Sequence, residues 1–408
     1  MSERIKLNYD DITIVPDEIT DICSRSQCNP YDEDGYLPIF ASCMSSVVSI
    51  ENAGDFNAAR IRAVIPRSYS VDERLGYLFK NEGNFVAFSL NEARDIFINR
   101  SEEFEIEYRI AKRFTNKYLE GRVVNTPIRV CIDLANGHMK CLLNLVKELK
   151  AKYGDSMLIM TGNIANPKTY ADYEKAGVDY CRVSIGAGSG CLTASNTGIF
   201  YPVFSLIKEI WEIKTEINGK CKIIADGGIH GFRDIQKALI YADYVMIGSL
   251  FNKAIESAGK TTYGAFYWNI RGKKIVRPLK TLLYFGREIP KEEYENAYSL
   301  VKSGKLTIWK EFFGMASKRA QKAISDANNS VAKKLKTSEG MIKYQKVEFN
   351  LAGWAENESD FLKSSMSYTN SKTLDEYKNS MWVRQNEIVF NKKLSDFSCF
   401  AIFTCIYM

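Results

Sequence analysis

Eight short apolar runs punctuate the chain: PIFAS (38–42), IRAVIP (61–66), NFVAFSL (84–90), IRVCIDLA (128–135), MLIMTG (157–162), DYCRVSIG (179–186), KIIADGG (222–228) and DYVMIGS (243–249). Each is continuous in hydrophobicity rather than alternating, the pattern of a strand buried on both faces. Between several of them the apolar period lengthens to that of a helix. KCLLNLVKELKAKYG (140–154) sets Leu142, Leu145, Val146 and Leu149 on one stripe and ends at a glycine. PKTYADYEKAG (167–177) and GFRDIQKALIYA (231–242) repeat the pattern. PVFSLIKEIWEIK (202–214) opens on Pro202, near a helix start.

Strands alternating with helices in this way predict an α/β fold, a closed (β/α)8 TIM barrel. An open doubly wound sheet usually has fewer strands and carries a G-x-G-x-x-G turn after its first strand, which is absent here. In a barrel, chemistry gathers where strands end and the following loops begin. That rule puts Ser42 and Met44, Asp133 with Asn136 and Gly137, Gly162 and Asn163, the loop 186–193, Asp226 to Gly228, and Gly248 with Ser249 on one rim. The expected organisation is one catalytic barrel over residues 1–380, with an N-terminal extension and a C-terminal flap. An insertion near 270–308 contains IPKEEYENAYSLVKSGK, which reads as a surface helix, and 381–408 forms a C-terminal tail. The tail closes on FSCFAIFTCIYM, apolar but too short to span a bilayer.

Charge and cysteine usage narrow the partners. The net charge of +6 is spread without a basic block, which fits an anionic small molecule better than nucleic acid. Ten cysteines occur without a CxxC pair and with only two histidines, so a zinc cluster is not expected. The opening MSERIKLNYDD lacks a secretory leader pattern, and no apolar run has membrane-spanning length; a cytoplasmic protein with free thiols is the expectation.

The loop SIGAGSGCLTASNTG (184–198) holds one thiol among glycines whose amides are uncovered. A thiolate there is a strong nucleophile, and Thr193 can pass or accept a proton. The alternative is a flexible turn carrying an inert cysteine. The loops after the seventh and eighth strands are a barrel's usual phosphate site, and Gly227, Gly228, Gly248 and Ser249 can present bare N–H groups there. Asp226 would repel a phosphate but suits ribose hydroxyls; otherwise it caps a helix. These pieces together suggest a nucleoside monophosphate set against a nucleophilic Cys191.

At this level of detail the chain resembles the IMP dehydrogenase/GMP reductase barrels from about residue 5 to 380. The resemblance is carried by LNYDDITIVP, SRS (24–26), PIFASCMSSV, IDLANGH, TGNIANP, AGVDYCRVSIGAGSGCLTASNTGIFYP, IIADGGI, ADYVMIGSLF, FFGMAS, KTSEG and LKSSMSYTNSKTLDEY. It implies that Cys191 forms a thioimidate at purine C2, with Thr193 and Glu339 relaying a proton. It implies a nucleotide held by Asp226, Gly227, Gly228, Gly248, Ser249, Gly314, Met315, Ala316, Ser338 and Gly340, with Ser42 and Met44 beside them. Asp133, Leu134, Ala135, Ile185 and Gly186 would line a nicotinamide pocket. Ser24, Arg25, Arg67, Lys336, Ser364, Ser365, Met366 and Ser367 would reach the rest of the dinucleotide. Carbonyls of Gly186, Gly188 and Cys191 would hold a monovalent cation such as K+, and the assembly would be a homotetramer.

The family has two branches. One uses NADPH to turn GMP into IMP and ammonia; the other uses NAD and water to turn IMP into XMP. Residues 316–338 lack the Arg-Tyr pair that activates water in the second branch, and residues 66–127 are too short for its regulatory insertion. IDLANGH also looks like the reductase's version, so GMP reductase is the expected activity. IMP dehydrogenase and a non-catalytic purine-nucleotide-binding barrel remain the alternatives. The chain departs from the pattern at Ala187, Leu192, Ala194 and Ser45. Ala194 stands where an arginine is usual, which bears on the cation site.

Overall fold

A computed structural model describes residues 6–80, 83–118, 127–268, 274–278, 299, 302, 307–328, 337–338, 340–379 and 389–390. Each of the eight apolar runs contains a strand: β1 (Ile39–Ala41), β2 (Arg62–Ile65), β3 (Phe85–Phe88), β4 (Ile128–Asp133), β5 (Met157–Ile164), β6 (Tyr180–Val183), β7 (Lys222–Asp226) and β8 (Tyr244–Ile247). All neighbours are parallel, and β1 closes the barrel by pairing with β8, Phe40 opposite Met246. Helices cover the outside: α1 (Ala53–Ala58), α2 (Val71–Lys80), α3 (Ser101–Tyr118), α4 (Lys140–Tyr153), α5 (Thr169–Ala176), α6 (Val203–Glu216) and α7 (Phe232–Leu239). The stripe expected on α4 is its buried face; Leu142, Leu145, Val146 and Leu149 have no exposed surface. Gly177 ends α5 in the left-handed conformation that glycine adopts without steric cost.

Side chains fill the barrel interior in a separate cluster that includes Phe40, Val64, Phe85, Cys131, Met160, Ile224 and Met246. Toward the N-terminal ends of the strands the rings of Phe40, Phe85, Tyr180 and Tyr244 meet edge to face or tilted, with centroids 5.1–6.0 Å apart. That end is packed shut, so the open end is where the strands finish.

After β8 the chain leaves the barrel. It forms a four-stranded antiparallel sheet, in the order β10-β9-β11-β12, from β9 (Thr261–Trp268), β10 (Lys274–Pro278), β11 (Thr307–Phe313) and β12 (Ile342–Lys346). Helix α8 (Lys318–Ala327) follows β11, with the Ser317 hydroxyl accepting from Ala320 N–H at its start. The excursion from the barrel begins at β9 and ends with β12, and the stretch 270–308 falls within it. The helix-like segment expected near 289–305 lies almost entirely outside the described residues. Helix α9 (Leu351–Tyr368) then packs against both α1 and α7, the place of the eighth barrel helix. Of the tail at 381–408, only Val389–Phe390 is described, paired antiparallel with Ile12–Thr13. No described helix is long and apolar enough to cross a membrane.

Candidate active site

The ends of the barrel strands surround a cavity of about 330 Å3. Arg182, on β6 and only 6% exposed, spans its floor. Its Nη1 donates to Asp133 Oδ1 at 2.9 Å, while Nε and Nη2 both lie 2.9 Å from Asp226 Oδ2. Arg67 Nε donates to the other oxygen of Asp133 at 3.0 Å, and Asn163 Nδ2 donates to Asp226 Oδ2 at 2.7 Å. Two arginines and two aspartates cancel in charge, which is what allows four ions to sit in a largely buried place. Burial alone would push the Asp133 carboxyl up, but the Arg67 and Arg182 guanidiniums prevail and hold it at about 2.

The two carboxylates differ in what they leave free. Both oxygens of Asp133 are occupied, with the Cys43 thiol also 3.5 Å from Oδ1. Asp226 gathers its donors on Oδ2, and its Oδ1 takes no hydrogen bond from the described residues. That oxygen can accept from a ligand hydroxyl. Asn163 is held in place by the neighbouring loop: its carbonyl accepts from Gly137 N–H at 2.9 Å, and His138 Nε2 accepts from Ala165 N–H at 3.0 Å.

Cys191 is half-buried and faces the same cavity. Its thiol donates to Thr193 Oγ1 at 3.2 Å, and its N–H donates to the Gly188 carbonyl at 2.8 Å. By contrast, hydrogen bonding to Cys131, then burial and the Asp133 charge, push the Cys43 thiol well up, so it is a poor nucleophile. The four-stranded sheet forms a wall beside the Cys191 loop because glycines let the backbones meet. A Cβ on Gly314 would sit 2.7 Å from the Gly190 carbonyl oxygen, and one on Gly340 would sit 2.8 Å from Ser317 N. Met341 N–H donates to Gly190 O at 3.1 Å, fastening sheet to loop.

Most of the residues expected at the site line this cavity. Ser42 and Met44 come from the end of β1, Arg67 from the end of β2, and Asp133, Leu134 and Ala135 from the end of β4. Ile185, Gly186, Gly188, Cys191 and Thr193 follow β6; Asp226, Gly227 and Gly228 end β7; Gly248 and Ser249 end β8. Gly314, Met315, Ala316 and Gly340 come from the sheet. Others lie elsewhere. Ser24, Arg25 and Ser364 form a separate cluster, with Arg25 donating to Asp360 at 3.0 Å and 3.4 Å from Ser364 Oγ. Met366 is fully buried, and Ser365 and Ser367 bond to Tyr377 and the Ser364 carbonyl. Ser338 bonds to Gly340 beside the cavity. Glu339 and Lys336 lie outside the described residues. Arg182 is the residue that sequence reasoning missed, although a charge inside a run buried on both faces was its signal.

The fold and site together define a (β/α)8 barrel with a half-buried cysteine beside a threonine hydroxyl, a glycine-lined pocket and a carboxylate oxygen without a bond from the described residues. Residues 123–303 match the family model for the IMP dehydrogenase / GMP reductase domain. Two relatives are similar along nearly the whole length and a third over two thirds of it. The GMP reductase of Shouchella clausii is 27% identical over 398 residues, covering 96% of this chain and 98% of that protein. The GMP reductase of Clostridium acetobutylicum is 27% identical over 392 residues, covering 94% and 97%. That of Streptococcus pyogenes serotype M5 is 29% identical over 300 residues, covering 67% and 83%.

Proposed function

We propose that the chain is an oxidoreductase that converts GMP to IMP and ammonia with NADPH, through a covalent bond between Cys191 and purine C2. One observation carries this reading: the Cys191 thiol and the free Oδ1 of Asp226 open into one cavity, beside glycines suited to a phosphate. Asp226 accepts from the ribose hydroxyls, and amides of Gly227, Gly228, Gly248 and Ser249 take the phosphate. Cys191 adds to C2 after its proton passes through Thr193, with Glu339 as the further relay, and the exocyclic nitrogen leaves as ammonia. Asp133, Leu134 and Ala135 would hold a reduced nicotinamide, which would provide the hydride that C2 takes up. The thiolate then departs, leaving IMP and oxidised cofactor.

Asp133, with both oxygens engaged, orients and neutralises rather than moving protons. For the cation, Gly188 O already accepts from Cys191 N–H, but a carbonyl oxygen keeps a second lone pair. The carbonyls of Gly186, Gly188 and Cys191 therefore suit K+. Homotetramer assembly and a cytoplasmic location complete the reading.

Purified protein given GMP with NADPH should consume the reduced-nicotinamide absorbance, whereas IMP with NAD should not generate it; the opposite pattern assigns the dehydrogenase. Cys191→Ala should abolish turnover while GMP still binds. Normal NADPH oxidation by that variant rules the mechanism out.

A further inference from the structure

We propose that Lys343 is a positioning residue for the phosphate of the bound nucleotide, acting through Ser189, whose hydroxyl it reaches from behind the cavity wall. The inference rests on the nucleotide reading above and adds a residue to it. Lys343 lies on β12 directly opposite Phe312 on β11, so the two side chains share a face of the sheet. Phe312 and Ser189 both line the cavity. The Lys343 ammonium sits 5.1 Å from the centroid of the Phe312 ring and 3.4 Å from Ser189 Oγ.

Charge accounting gives the lysine its purpose. Within the cavity Arg67 and Arg182 are already matched by Asp133 and Asp226. A dianionic phosphate arriving at the glycines therefore finds no spare positive charge on the floor. Lys343 has no carboxylate partner among the described residues, whereas the neighbouring Lys253 is paired with Glu348 and the Lys310 ammonium donates to the Ser257 carbonyl. The Cys191 loop and the phosphate glycines are in contact, since a Cβ on Gly227 would come within 3.2 Å of Gly188 N. Ser189, the next residue, lines the cavity and accepts from the Lys343 ammonium. Partial burial and the nearby Lys253 charge lower the Lys343 pKa, and a bound anion would offset both effects.

The test is direct titration of full-length protein with GMP, and in parallel with IMP, for wild type, Lys343→Gln, Lys343→Arg and Lys343→Glu. The Gln variant should bind about tenfold more weakly, the ratio for losing one charge-assisted hydrogen bond. The Arg variant should recover most of the affinity, the Glu variant should be weakest, and all should melt near the wild-type temperature. Inorganic phosphate should compete with nucleotide more effectively in wild type than in the Gln variant. Affinity within twofold of wild type for Lys343→Gln, or equal losses for Gln and Arg, overturns the proposal. Wild type that takes IMP and refuses GMP defeats the GMP reading and leaves Lys343 standing; wild type that binds neither nucleotide defeats both.

Discussion

Arg182 gives two donors to Asp226 and one to Asp133, and no other residue type could hold both carboxylates with one planar head. Replacing it with methionine strands two partly buried anions. Arg182→Met should lose about 3–5 kcal/mol in denaturant unfolding, the usual cost of breaking a buried pair. The acid side is also set here. The Asp133 carboxyl is lowered in the folded protein relative to about 3.9 unfolded. Its contribution is complete above the unfolded value and is lost as pH falls toward about 2. Asp133→Asn should therefore flatten the stability decline between about pH 4 and pH 2. At this scale the sequence was informative about types and silent about pairing. Asp133, Asp226 and Cys191 were recognisable from their loops. The guanidinium that unites the two aspartates was not, because which strand faces which is decided only when the barrel closes.

Elements explain why the loop carrying Cys191 is held rather than free. Its backbone is bonded to the sheet through Met341 and abuts Gly314 and Gly340, where no side chain fits. In Gly340→Ala the new methyl meets the Ser317 amide, which is backbone and cannot swing aside. Residue 340 must move away from the Gly314–Ser317 turn and with it shift its bridge to Cys191, so turnover should fall by an order of magnitude or more while the melting temperature changes by only a few degrees. Steady-state kinetics beside a thermal melt reads both. The barrel strands and α4 to α7 were legible because burial on both faces, or on one stripe, leaves a local signature. The four-stranded sheet was not. Its partners are up to 49 residues apart, as Thr261 and Lys310 are, and β12 alternates exposed with half-buried positions, ending on an exposed Lys346. Asn163 was placed on the rim by its position at a strand end, yet its bond to Asp226 reaches from β5 to β7 past β6.

Across the whole molecule, stability and chemistry occupy opposite ends. The aromatic plug of Phe40, Phe85, Tyr180 and Tyr244 closes one end, and the charged floor and cavity open the other. Phe40→Ala should cost about 3–5 kcal/mol while leaving KM for nucleotide unchanged below the melting transition. A large KM change in that variant would show that the two ends are coupled.

The excursion also enters and exits by one doorway. Ala254 bridges to Phe349, Ile255 N–H donates to Phe349 O at 3.0 Å, and Glu348 N–H donates to Lys253 O at 2.9 Å. The described strands between these two points form an awning fastened to the rim, on a hoop whose eight strands close without it. Lengthening or trimming the awning costs the hoop only a slowly growing closure entropy. Here the tool that reaches over the substrate can be refitted without rebuilding the workbench.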